Sequence, residues 1–402
     1  MERLASFERD CVDQAAATPM LGLVEAWAAI NSGSRNLDGL KRVAGALAEV
    51  FSVLPGALDL IDAAPVETID AHGQRIEISH GQNIRLTVRP DAPLQLLFTG
   101  HMDTVFGADH AFQGMRWLEP GVLNGPGVAD MKGGIAVMLA ALKAVEGSSL
   151  ASRIGYDVIL NSDEEVGSLG SAALIARAAA GKRAALTYEP SALPDGTFAG
   201  ARPGSGNFSF TVTGKSAHAG RNPQDGRNAI VAAADLALRL KAGMRDGLSV
   251  NPARIDGGSP NNVVPDLAIL RVNLRPHTLD DQSAAQALID ATVAAVAAEH
   301  DVSIASHGHF ARPPKPMTPA LDALFGVVRQ AGADLGQSVT WQSTGGVCDG
   351  NNIAACGVPV IDTMGVRGGS IHSMEEFLIV DSLSERAALS ALTLLRLAGG
   401  AA

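Results

Sequence analysis

Apolar positions recur in two rhythms along this chain. Leu4, Phe7, Cys11, Met20, Leu23, Trp27 and Ile30 repeat at helical spacings. A Ser-Gly-Ser loop at 32–34 then leads to a second helix ending near Val53. Between 66 and 90 the residues alternate, which predicts two strands, IEISH and IRLTV, paired antiparallel at a sheet edge. Four apolar runs of strand length follow, at 94–99, 156–161, 184–188 and 358–365. Helical patterns separate them, among them the face formed by Ile135, Met138, Leu139 and Leu142 and a helix over 168–180. Buried runs alternating with helices predict an α/β fold with a mixed, mostly parallel sheet covered by helices on both faces.

Residues 203–313 have a different order. Strands over 207–213, 248–256, 266–275 and 301–310 and helices over 225–241 and 280–300 spell β-α-β-β-α-β, the signature of a ferredoxin-like split unit. Arg202-Pro203-Gly204 and Pro313-Pro314 mark its edges as hinges. Helix–strand alternation resumes from 318. The expected organisation is one unit over 1–202 and 314–402 with a smaller one, 203–313, inserted into it.

A length of 402 residues suits two domains. The formal net charge of −11 argues against duplex nucleic acid or an anionic membrane surface as partner. Cys11, Cys348 and Cys356 have no paired spacing, so a disulfide framework is not expected. With no apolar leader and no run long enough to span a bilayer, the expected setting is the cytoplasm.

The four apolar runs each stop at residue types that bind metals. The first ends in GHMDT with His101 and Asp103, whose i, i+2 spacing lets Asp103 orient the imidazole. The others lead to Glu164-Glu165, to Glu189 and, through a glycine-rich loop, to His372. Asp130 stands where a helix N-cap would, before Gly133-Gly134, whose small size lets a backbone or ligand approach. Ligands of parallel sheets bind at the carboxyl ends of strands, where these residues fall.

His101, Asp130, Glu165, Glu189 and His372 offer nitrogen and carboxylate oxygen, which suits zinc, with manganese or cobalt as substitutes. Five ligands exceed what one tetrahedral ion with an open position uses, but they match two ions if Asp130 bridges. Three carboxylates and a hydroxide would neutralise two dications. Glu164, beside Glu165 at a strand end, points to the other side and is placed to serve as general base. No GxGxxG follows the first strand of the sheet, which excludes a nucleotide-binding dehydrogenase. A non-catalytic metal-dependent binding protein is the rival outside the enzymes.

GHMDTVFG, GPGVADMKGG, NSDEEVGSLGS, YEP, TGKSAHAGRNP, NNVVP and the late IHS run through nearly the whole chain. In that order they resemble the M20 metallopeptidase family, most of all its glutamate carboxypeptidase branch, with acetylornithine and succinyl-diaminopimelate deacylases as cousins. The resemblance implies two zinc ions on His101, Asp130, Glu165, Glu189 and His372, with Asp130 bridging and followed by a cis peptide. It implies that Asp103 orients His101 and that Glu164 is the catalytic base. The inserted unit would form a homodimer, and His218 would reach the partner's site to stabilise the oxyanion. Asn262 and Arg275 would hold the substrate carboxylate, with Arg271 as the alternative if the strand register slips, and Gly345-Gly346 would present backbone N–H groups. Glutamate-selective relatives carry a lysine soon after the EP motif; PSALPDGTFAGAR has none, and Thr197 stands near that position. Arg312 could supply the positive charge instead. The implied activity is cleavage of an amide, in a C-terminal peptide or an N-acyl amino acid, next to a free carboxylate. A biosynthetic N-acyl amino acid deacylase is the alternative.

Overall fold

A computed structural model describes residues 4–400; residues 1–3 and 401–402, part of the expected larger unit, lie outside the described residues. The chain opens with three helices, Ser6–Ala17, Leu21–Ala28 and Leu37–Phe51. The first stops at Thr18, whose extended backbone is what a following proline imposes. The third starts where the Asn36 side chain accepts from Gly39 N at 3.1 Å, and it buries Leu40, Val43, Leu47 and Phe51 along one face.

Six strands form the main sheet in the order Ala57–Ile61, Asn83–Val88, Ile154–Asn161, Leu94–His101, Ala184–Thr187, Val360–Ile361. The last four run parallel and the first two are antiparallel additions. The expected IEISH–IRLTV pairing is not formed. Arg75–Ile78 pairs instead with Val66–Ile69, because Asp70 Oδ1 accepts from His72 N and Gln74 N, both at 2.8 Å, and closes a local turn. That leaves Asn83–Val88 to pair with the fully buried Ile154–Asn161, and Ala57–Ile61, for which the sequence pattern predicts no element, takes the edge.

Alternate strand residues supply two cores. Leu96, Phe98, Val158 and Leu160 pack with the helices Gly134–Glu146 and Asp381–Gly399. Leu97, Ile159 and Ala185 face the opposite layer, with Ile175 and Ile353 of Ala172–Ala179 and Asp349–Ala355. Helices cover both faces, as the uninterrupted apolar runs require.

Residues 205–312 build a separate antiparallel sheet in the order Leu248–Gly257, Leu267–Pro276, Ser205–Thr213, Ser303–Arg312, with helices Ala229–Ala242 and Leu279–His300 on one side. Phe208, Phe210, Leu270 and Leu274 pack there with Leu236 and Ile289. The pleat therefore turns Asn207, Ser209, Arg271, Asn273 and Arg275 to the other face, toward the main sheet. The two crossings into this unit lie side by side: Arg202 N donates to Lys315 O at 2.9 Å and Lys315 N to Arg202 O at 3.0 Å. Asn351 Nδ2 donates to the carbonyls of both Pro203 and Pro313 at 2.8 Å. Among the described residues no helix is long and apolar enough to cross a membrane.

Candidate metal centre and cleft

The carboxyl ends of the four parallel strands open into a cavity of about 900 Å³ roofed by the polar face of the second sheet. His101 ends its strand directly opposite Asn161, the last residue of the neighbouring strand, so the loop after Asn161 starts beside it. His101 Nε2 lies 3.0 Å from Asp130 Oδ1 and 3.7 Å from Glu189 Oε2. His372 Nε2 lies 3.4 Å from Asp130 Oδ2 and 3.0 Å from Glu165 Oε2. Asp130 thus turns one oxygen to each histidine, and each histidine has a second carboxylate of its own. All five expected ligands come together.

The supports are specific. His101 Nδ1 is 3.0 Å from the Asp103 carbonyl and 3.5 Å from its Oδ1. The Asp103 carboxylate also accepts from Ser34 Oγ at 2.7 Å, Glu164 N at 3.1 Å and Glu165 N at 3.2 Å. One buried aspartate therefore fixes both the first ligand and the loop that carries the third. Asp130 does not cap the helix that follows, because its backbone is extended and the helix begins only at Gly134; the Asp130–Met131 bond is cis. Glu376, missed in the sequence, holds that segment by accepting from Gly127 N, Ala129 N and Asp130 N at 3.0–3.1 Å. Its MEEF context gave no periodic signal; an acid four residues beyond His372 was the only hint. His372 has φ of 62°, a left-handed conformation that costs a non-glycine residue roughly 1–2 kcal/mol and here aims the ring at two carboxylates.

The electrostatics fit cations. Burial, then the neighbouring Asp130, pushes the Glu165 carboxyl up, and burial raises Glu189 to about 7. Hydrogen bonds to Asp130 and Glu165 raise His372 to about 11. A buried set of three carboxylates that holds its histidines charged is short of positive charge. Nitrogen and oxygen donors within 4.8 Å of one another, in the groups His101, Asp130, Glu165 and His101, Glu164, Glu189, match divalent metals.

Glu164 is buried, and burial raises its carboxyl well above the usual range against the opposing charge of Arg312. Arg312 lines the cleft, as a substrate-reading group would, but its charge is already paired. It is buried, with Nη2 2.7 Å from Glu164 Oε1 and donating to Glu164 O and Ser168 Oγ at 2.9 Å. The other cleft guanidinium that could read a substrate side chain, Arg202, is bound to Asp362 at 2.8 and 2.9 Å. Thr197 faces Thr340, 3.2 Å away, and does not line the cleft.

Arg275 and Gly346 line the cleft, and Arg275 Nη1 donates to Gly345 O at 2.8 Å. Arg271 does not line it: its guanidinium donates to the carbonyls of Ile69 and Asp70 and meets Asp256 at 3.4 Å. His218 and Asn262 are exposed and lie outside the cleft of their own chain, held together where Ala219 N donates to Asn262 O at 2.9 Å. Cys348 lines the cleft and is buried; its Sγ accepts from Gly350 N at 3.4 Å, a helix-start role invisible in the sequence.

The sequence pattern of Peptidase family M20/M25/M40 matches residues 97–396. This chain belongs to the M20 peptidase family. It is a hydrolase of the peptidase and amidohydrolase type found among its M20 relatives. It is 30% identical to carboxypeptidase G2 of Pseudomonas sp. (strain RS-16) over 80% of this chain and 78% of that one. With the succinyl-diaminopimelate desuccinylase of Maricaulis maris (strain MCS10) it shares 28% identity over 89% of this chain and 95% of the other. The fold matches an M20 family metallo-carboxypeptidase from Sulfolobus solfataricus with a TM-score of 0.71, at 14% identity, over 94% and 98% of the two chains. M20 proteins are metal-dependent and typically dinuclear, and the histidine–carboxylate cluster is this chain's candidate for that centre.

Proposed function

We propose that the cleft hydrolyses an amide bond next to a free carboxylate, in a C-terminal peptide or an N-acyl amino acid. The observation that carries this reading is the division of Asp130 between two half-sites, His101 with Glu189 and His372 with Glu165. Those residues would hold two zinc ions, with manganese or cobalt as substitutes, and the ions would supply Lewis acidity toward the scissile carbonyl and water. Glu164 takes a proton from the attacking water and passes it to the leaving amine, a task suited to a carboxyl raised by burial. Arg275 pairs with the substrate carboxylate through its guanidinium fork, and Gly346 borders the same position.

His218 and Asn262 complete the site from a second copy of the chain; both are exposed together at the edge of the inserted unit. In this reading residues 203–313 are a lid and dimerisation domain on a catalytic domain of 1–202 and 314–402. The enzyme works in the cytoplasm, where its three unpaired cysteines stay reduced.

Deacylation of an N-acyl amino acid is the second reading, favoured by the occupied guanidinium groups. Arg202 and Arg312 are both paired with protein carboxylates, which leaves no free cation beside Arg275 to read a glutamate side chain among the described cleft residues. The test is amino acid release by purified zinc-loaded protein from N-acyl and dipeptide substrates with varied C-terminal residues. Turnover with a neutral C-terminal residue preferred supports deacylation, and preference for glutamate supports the carboxypeptidase. Stoichiometric metal with no turnover on any member of the panel overturns the hydrolytic reading.

A further inference from the structure

A second cavity, of about 690 Å³, opens from the first, and Val166, Gly167, Asn207, Asn273 and Ala311 line both. The second sheet paves the passage. Asn251 lies opposite Asn273, Asn273 opposite Asn207, and Asn207 opposite His309, so one row of side chains crosses all four strands. Its Asn251 end faces the cleft and its His309 end faces the second cavity. Val66, Ile78 and Leu169 give that cavity an apolar wall.

Two of its basic groups have no close acid. Arg35 Nη1 stands 3.1 Å from His80 Nε2, and among the described residues neither has a carboxylate at ion-pair distance. A guanidinium can only donate, so His80 Nε2 accepts and Nδ1 carries the proton. That Nδ1 is buried with no acceptor among the described residues. Glu67, the acid of the lining, is drawn toward Arg75 at 3.7 Å. On a chain of net charge −11, a cavity lined by a guanidinium with no carboxylate at ion-pair distance, and only Asp163 and Asp103 acting on it from farther off, can take an anion.

We propose that this cavity is a subsite for the far end of the substrate's acyl group: an apolar chain that ends in a carboxylate held by Arg35, whose guanidinium His80 positions. The inference rests on the hydrolytic reading of the adjoining cleft. The acyl chain leaves the scissile carbonyl, passes the asparagine row and lies against Val66, Ile78 and Leu169. Its volume is in the range that holds a ligand larger than an acetyl group.

Three substrates with the same released amino acid separate the contributions: acetyl, octanoyl and octanedioyl amides. Wild-type protein is expected to favour octanedioyl over octanoyl. Arg35→Gln lowers kcat/KM for octanedioyl about tenfold, as losing one charge-assisted hydrogen bond does, and leaves acetyl unchanged. Ile78→Trp, which fills the cavity, lowers kcat/KM for both long chains and spares acetyl. Calorimetric titration of metal-loaded protein with octanedioic acid monoamide gives a readout without turnover, and Arg35→Gln is expected to weaken it about tenfold as well. Unchanged ratios in both variants, or equal affinity in the titration, overturns the subsite. Failure of wild-type protein to cleave any of the three amides counts instead against the hydrolytic reading, and the titration still decides the subsite.

Discussion

Glu164 is pulled in two directions, and the balance sets what its replacement does. Burial favours its protonated form while Arg312, 2.7 Å away, favours the carboxylate. Glu164→Gln keeps the volume and the five proposed ligand side chains, so bound metal is expected to stay stoichiometric while kcat falls about a thousandfold, the usual share of a general base. Metal analysis beside a turnover assay checks both halves; an active variant would remove Glu164 from the mechanism. Glu376 acts differently. It touches no expected ligand side chain but accepts three backbone N–H groups around Asp130. Glu376→Gln is expected to weaken metal binding about 10- to 100-fold, with activity recovered at high metal, as measured by competition with a chelator. Activity restored by metal separates a positioning role from a catalytic one.

Between the edge strands and the buried sheet the fold is held by a charged cluster around Asp157. Its carboxylate meets Arg85 Nε at 2.9 Å, Lys182 Nζ at 2.7 Å and Thr87 Oγ1 at 2.7 Å. Burial alone would raise its pKa, but the hydrogen bonds from Lys182, Thr87 and Arg85 hold it below the ordinary value. A depressed folded pKa means stability that is present above the unfolded value of about 3.9 and is lost as pH falls through the folded one. Asp157→Asn removes the charge that Lys182 and Arg85 face, leaving Lys182 with Gln95 Oε1 at 3.1 Å, and is expected to cost about 3 kcal/mol near neutral pH, with a flatter loss in acid; denaturant unfolding between neutral and acid pH reads both.

The same region shows where sequence reading stopped. Runs such as Ile154–Asn161 were legible because both faces are buried, so nothing polar interrupts them. Ala57–Ile61 was not, because as an edge strand it is half exposed and carries Asp59 and Leu60 outward. Pairing of Arg75–Ile78 depended on the turn at Asp70, a local hydrogen-bond choice that alternation does not encode. The expected ligands were legible since each follows a buried strand or stands in or just after a glycine-rich stretch. The partner of Arg312 was not, because two residues 148 apart meet only once the second sheet has folded over the first.

At the scale of the whole molecule, the proposed metal binding is expected to be linked to stability and the proposed subunit contact to activity. If cations bind only the folded cluster, metal at 100 times its Kd adds about 2.7 kcal/mol, so chelation is expected to lower Tm and zinc to restore it. His218→Ala and Glu164→Ala should each be nearly inactive alone. Mixed in equal amounts and allowed to exchange, they are expected to recover about a quarter of wild-type activity, since half the dimers are mixed and one of their two sites is intact. No recovery after verified exchange would place His218 outside the partner's site. The paired crossings at Arg202 and Lys315 bear on how such a molecule could arise. Two chain ends that meet as neighbouring backbones, clamped by one asparagine, leave a gap that a few residues could span. The roof is in that sense an insertion at a single point of the floor, free to vary on its outer helices but tied at its inner face by Arg312 to Glu164.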